Sequence, residues 1–94
     1  MEYVYMLECA DGSYYIGWTN DIAARLETHN AGKGAKYTRA RLPVKLVYLE
    51  CHEDRGEAKS REALLKKLTH RQRGALIGSA ENRAGDFTKA QAEN

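Results

Sequence analysis

The feature that most constrains this chain is its N-terminal run Glu2-Tyr3-Val4-Tyr5-Met6-Leu7-Glu8-Cys9. The run is β-branched, aromatic and aliphatic, and it holds no glycine or proline. At its centre the apolar residues do not alternate with polar ones. Such a segment reads as a strand buried on both faces, not as one with a solvated side. Ala10-Asp11-Gly12-Ser13 then carries turn residues. Tyr14-Tyr15-Ile16-Gly17-Trp18 reads as a second strand, so residues 2–18 are expected to form a β-hairpin. Gly17 inside that strand signals a close backbone approach or a bulge.

The rest of the chain reads as helices and one more strand. Asn20 or Thr19 can cap a helix over residues 21–31, with Asp21 at its positive end. Ile22, Leu26 and His29 fall at helical spacing within it. Gly32-Lys33-Gly34 ends the helix, and residues 35–43 form a basic loop. Residues 44–51 read as a third strand. Residues 57–68 form a second helix with the apolar stripe Ala58, Leu65 and Leu68, and with Leu64 beside it. Residues 71–77 add one or two further helical turns. Beyond Gly78 the only large apolar residue is Phe87, so residues 78–94 are expected to be a flexible tail on a domain spanning 1–77. The order β-β-α-β-α-α is a small sheet covered by helices, and the class is α+β.

At 94 residues and 10.6 kDa the chain fits one domain. A composition of 43% hydrophobic and 30% charged residues is that of a globular protein. No apolar run approaches the roughly 20 residues of a membrane-spanning helix. The N-terminus lacks the basic segment of a secretory leader, which makes the cytoplasm the expected compartment. Cys9 and Cys51 form neither a disulfide framework nor a metal-binding spacing, and both are expected to be small buried hydrophobes. The net charge of +2 is small, but it is unevenly placed. Residues 1–34 carry five acids and two bases, whereas residues 35–77 carry eleven bases and five acids. A localised basic surface suits a phosphate backbone, although charged helix faces are often only solvated.

Three features carry chemistry. Six tyrosines accompany one Phe and one Trp, an unusual choice for a core built only for packing, because each buried phenol needs a hydrogen-bond partner. Arg25 and His29 are four residues apart, on one face of the first helix and bordering its apolar stripe, so they should point along the sheet surface. Glu62 flanks the stripe of the second helix. It can pair with Lys66 one turn on, or offer the hard carboxylate oxygen that suits Mg²⁺.

Taken in order, the segments Tyr3-Val4-Tyr5, Asp11-Gly12, Tyr15-Ile16-Gly17, Asp21 to Arg25, His29, Gly32-Lys33-Gly34-Ala35-Lys36-Tyr37-Thr38 and Glu62 to Lys66 resemble the GIY-YIG nuclease superfamily. The resemblance spans residues 2 to about 77 and is nearest to the small, single-domain bacterial branch. It implies a three-stranded, mainly antiparallel sheet flanked by helices, and hydrolysis of phosphodiester bonds with one divalent ion, Mg²⁺ or Mn²⁺. Members include homing endonucleases, restriction enzymes and a nuclease subunit of DNA excision repair. By position, Tyr5 and Tyr15 match the motif tyrosines, one of which serves as or beside the general base. Arg25 matches the arginine on the scissile phosphate, His29 a position that supports the base or the phosphate, and Glu62 the metal ligand. Tyr3 stands where the first motif has glycine, and Trp18 where some relatives have lysine.

The loop supplies Lys33, Lys36, Tyr37, Arg39 and Arg41, which with Lys66 are the expected nucleic-acid contacts. The expected partner is nucleic acid, DNA ahead of RNA, with the chain a monomer or weak oligomer away from membranes. Three function classes stay open: a metal-dependent nuclease, a non-catalytic nucleic-acid-binding module of the same fold, and a subunit or adaptor that binds another protein through its hydrophobic and Tyr-rich surface.

Overall fold

The computed structural model describes residues 1–87. Strands β1 (Glu2–Glu8), β2 (Tyr14–Thr19) and β3 (Lys45–His52) form one sheet in the order β2-β1-β3. Both pairings of β1 are antiparallel. The N-terminal run is thus the middle strand, which is why it carries no polar alternation. Val4, Tyr5, Met6 and Leu7 are all buried. Strand geometry sends alternate side chains to opposite faces. Tyr5, Leu7 and Cys9 join Ile22, Val44, Leu49 and Ala84 on one side. Val4 and Met6 join Ile16, Tyr48, Ala58 and Leu65 on the other. The register between β1 and β3 shifts after Met6, where Val47 bulges out of the ladder.

Helix α1 (Ile22–Asn30) covers the first face and α3 (Arg55–Lys66) the second. Asp21 caps α1 by accepting from the Ala24 N–H at 3.1 Å, one residue later than Asn20. Asp54 caps α3 in the same way through the Glu57 N–H, so α3 starts before residue 57. Leu64 stands 52% exposed, off the stripe that Ala58 and Leu65 bury. Helix α4 (His70–Ile77) opens on a capping box between Thr69 and Gln72. Within the expected basic loop, Lys36–Arg39 form one helical turn, α2. The Thr38 hydroxyl and the Arg39 N–H both bond the Ala35 carbonyl and close that turn. Cys9 is buried as expected, but Cys51 is exposed, because β3 is an edge strand and residue 51 lies near its end.

The segment expected to be a tail behaves differently as far as Phe87. Residues 84–87 form a helical turn. Ala84 is buried and Phe87 packs against the core. Asn82 is the reason. Its side-chain amide donates to the Val47 and Ile77 carbonyls at 2.8 Å each. Its side-chain oxygen accepts from the Leu49 N–H at 3.2 Å and the Ala84 N–H at 2.9 Å. The Arg83 N–H adds a bond to the Leu49 carbonyl at 2.9 Å. These contacts satisfy backbone groups along the otherwise open edge of β3. Sequence pattern misses the segment because one amide, not an apolar stripe, attaches it. The part of the expectation covering 88–94 lies outside the described residues.

Removing that amide should loosen the edge. Asn82→Ala is expected to lower unfolding free energy by about 2 kcal/mol, the value of a few part-buried hydrogen bonds. Urea unfolding of the two proteins measures the difference.

Candidate active site

Tyr5 sits at the centre of β1, directly opposite Gly17 of β2. Its ring lies over the glycine. A Cβ at residue 17 would stand 2.5 Å from the phenol oxygen. Gly17 has no positive φ, and the β1–β2 register runs unbroken past it. Of the two expectations for this glycine, close approach is the one realised.

The Tyr5 hydroxyl, 1% exposed, meets His29 Nε2 at 3.2 Å. His29 is itself 1% exposed. It points inward and not along the sheet surface, because its partners lie on either side of it: Tyr5 from the sheet, and the Thr38 hydroxyl at 2.9 Å from Nδ1. Burial, with the Arg25 guanidinium nearby, pulls the imidazole below its ordinary value, so the ring is neutral at pH 7. Burial pushes the Tyr5 phenol well above its ordinary value. Tyr15 and the Glu62 carboxylate add to that rise, and Arg25 opposes it. Tyr5 therefore holds its proton at rest.

An open cleft at the β2 edge is lined by Tyr5, Tyr15, Gly17, Arg25 and Glu62. Four residues expected from scattered segments thus converge from β1, β2, α1 and α3. The Tyr15 ring centroid lies 6.5 Å from that of Tyr5 and 5.2 Å from that of His29. Burial raises the Tyr15 phenol, with Glu62 adding and Arg25 opposing. His29 stands behind Tyr5, not in the cleft wall. Among the described residues Glu62 is the only acid lining this cleft, and its side chain is 20% exposed. Lys66 Nζ lies 3.7 Å from it. Among the described residues no group of three His, Cys, Asp or Glu is placed to hold a metal. The Glu62 carboxylate, beside two phenols and a guanidinium, would suit an ion that keeps most of its water and takes phosphate oxygens, as Mg²⁺ does.

Lys33, Lys36 and Arg39 are exposed. Tyr37 stacks on Tyr15 with ring centroids 6.3 Å apart. Arg41 is already engaged: it lies over the Tyr37 ring at 3.8 Å, and its Nε donates to Asp11 at 3.0 Å. It ties the loop to the hairpin turn. A second groove, shared at Tyr15, runs past Tyr37, Lys66 and Arg73.

Sequence reading did not nominate Arg55 or Trp18, yet both line the cleft. Arg55 and Lys59 lie 5.7 and 5.5 Å from the Trp18 ring. The signal was present in the spacing. Residues 55, 59 and 62 are i, i+4 and i+7, one face of a helix, and a helix started at Asp54 would have exposed it.

Two outcomes follow from this geometry. Gly17→Ala should displace the Tyr5 hydroxyl from His29, visible as large shifts of the His29 ring resonances. A histidine depressed when folded costs stability once the unfolded chain can protonate and the folded one cannot. The contribution of His29 is complete above its unfolded value of 6.5 and is lost as pH falls through its lower folded value. Folding stability measured from pH 7 to pH 5 should fall less steeply in His29→Gln than in the parent chain.

Known proteins resemble the chain over most of its length. Residues 1–74 match the GIY-YIG catalytic domain. A UPF0213 protein of Clostridium perfringens is 52% identical over 95% of this chain and 96% of its own length. One from Bacillus cereus is 59% identical over 82% of this chain and 80% of its own length. The solution NMR structure of a UPF0213 protein from Bacillus halodurans superposes with a TM-score of 0.57 at 41% identity, covering 95% of this chain and 96% of that one. A second NMR structure, from E. faecalis, gives a TM-score of 0.54 at 47% identity over 77% of each chain. With its sheet order, its cleft and this match over most of its length, the chain belongs to the GIY-YIG domain family, among the bacterial UPF0213 proteins.

Proposed function

We propose that this chain is a metal-dependent nuclease that hydrolyses phosphodiester bonds in nucleic acid, DNA ahead of RNA. One observation carries the reading: Tyr5, Tyr15, Arg25 and Glu62, from four separate elements, line a single open cleft. Arg25 presents a guanidinium whose fork matches two phosphate oxygens and stabilises charge as it develops there. Glu62 would hold a single Mg²⁺ or Mn²⁺. When bound, that ion neutralises charge on the phosphate and on the leaving oxygen. Lys33, Lys36 and Arg39 supply backbone contacts on one flank, and Arg55 and Lys59 on the other. Lys66 joins them from its pairing with Glu62. Tyr37, held by Arg41, extends the aromatic wall of the cleft.

Tyr5 acts with His29. A free phenol has a pKa near 10, and half-ionising it at pH 7 takes about 4 kcal/mol. Burial moves Tyr5 further from that state, so a resting tyrosinate is not the base. The hydroxyl instead accepts a proton from the attacking water as its own proton passes to His29 Nε2. No free phenolate is needed. Phosphate on Arg25 offsets one of the two influences that depress His29 and makes it a better acceptor at that moment. The same raised Tyr5 favours a second reading, in which the domain binds nucleic acid and turns nothing over.

A cleavage assay separates the two. Substrates are labelled single-stranded, duplex and branched DNA, and RNA, each with Mg²⁺, Mn²⁺ or EDTA. Metal-dependent cleavage is expected in the parent chain and is expected to be abolished in Glu62→Ala. Arg25→Ala should lose about 10²- to 10³-fold, the scale of one transition-state charge contact. Equal cleavage by the parent and Glu62→Ala would overturn the metal assignment. Salt-sensitive binding with no cleavage would leave the binding module.

A further inference from the structure

Thr38 is the odd residue of the basic loop. Its neighbours Tyr37 and Arg39 are exposed, yet Thr38 is fully buried. Its hydroxyl makes two contacts of 2.9 Å, one to the Ala35 carbonyl and one to His29 Nδ1. A carbonyl oxygen can only accept, and a threonine hydroxyl has one proton to give. That proton lies toward Ala35. The contact to His29 must then be an N–H donated by Nδ1 to a Thr38 lone pair. In the reverse arrangement Thr38 would donate to Nδ1. Two acceptor oxygens would then face each other at 2.9 Å with no proton between them, a repulsive contact even though the Ala35 carbonyl keeps its bond from the Arg39 N–H.

The rest follows around the ring. A neutral imidazole carries one proton. With that proton on Nδ1, Nε2 presents a lone pair, and the Tyr5 hydroxyl donates to it across 3.2 Å. Tyr5 has then spent its only proton on His29 and can offer the cleft nothing but acceptor capacity. Gly34 closes the other flank. A Cβ there would run into the imidazole ring, so the loop backbone itself seats the histidine.

We propose that Thr38 is a positioning residue that fixes the His29 tautomer and, through it, turns the Tyr5 oxygen into a proton acceptor facing the cleft. The catalytic consequence rests on the nuclease reading; the hydrogen-bond direction does not. In that reading the attacking water gives a proton to the Tyr5 oxygen, the Tyr5 O–H bond breaks toward His29 Nε2, and the water oxygen forms its bond to phosphorus as the bond from phosphorus to the leaving sugar oxygen breaks, that oxygen taking its proton from solvent water. His29 ends as an imidazolium that still donates through Nδ1 to Thr38. With the opposite tautomer Nε2 would already carry a proton, and Tyr5 could not pass its own on.

The test is the tautomer of His29, read from long-range ¹H–¹⁵N NMR of the full chain, which distinguishes a protonated ring nitrogen from one with a lone pair. The parent chain and Thr38→Ser should both show the proton on Nδ1. Thr38→Val keeps the shape but removes the acceptor, and should move the proton to Nε2. A proton on Nε2 in the parent chain overturns the proposal even if the valine variant fails to fold. So does an unchanged tautomer in a folded valine variant. Where cleavage is present, Thr38→Val should lower kcat about tenfold or more with KM unchanged, up to the roughly 10²- to 10⁴-fold that general-base catalysis as a whole supplies, and Thr38→Ser should keep it. A parent chain that cleaves nothing but carries its proton on Nδ1 supports the Thr38 assignment and overturns the nuclease reading alone.

Discussion

The structure depends on one buried phenol. Tyr5 lies at the centre of the middle strand, with a sheet neighbour on each side and helices over both faces. A hydroxyl in that position must be hydrogen-bonded, since leaving it unmade costs more than a typical bond returns. His29 satisfies it, and His29 in turn requires Thr38. Each step brings in another segment: α1 must cross the sheet where it does, the turn at α2 must fold under it, and Gly17 and Gly34 must leave room. Ring and hydroxyl thus join four pieces of chain.

The same chain of contacts separates buried proton handling from exposed charge. Tyr5 and His29 lie in the wall, sheltered and neutral. Arg25 and Glu62 face the open cleft from helices on opposite faces of the sheet. The two charges act on both tyrosines in opposite senses. The balance between them would therefore change if a phosphate met Arg25 or a cation met Glu62.

Much of the fold was legible because period and turn chemistry are local. The unalternating run at 4–7 announced a strand buried on both faces, and Gly17 announced a close approach or a bulge, of which the structure has the first. Ala58 and Leu65 marked the buried stripe of α3. The misses share a cause. Asn82, which ties residues 78–87 to the edge of β3, has no apolar signature. Arg55 fell outside the cleft because the start of α3 was placed after its cap at Asp54. Cys51 sat at the end of an edge strand. Each depends on what lies across from a residue, which is information a one-dimensional pattern does not hold.

For the site, sequence by itself determined which side chains are present and their order: two tyrosines, an arginine and histidine one helical turn apart, and a later glutamate. Helical spacing alone put Arg25 and His29 on one face and made them look alike. Tertiary structure divided them, leaving Arg25 at the solvent and taking His29 inside, because only the sheet on one side and the α2 turn on the other supply partners for both ring nitrogens. Covalent order sets the chemistry that is available. Burial and hydrogen-bond direction, which arise between segments distant in the chain, decide which atom gives a proton and which receives it.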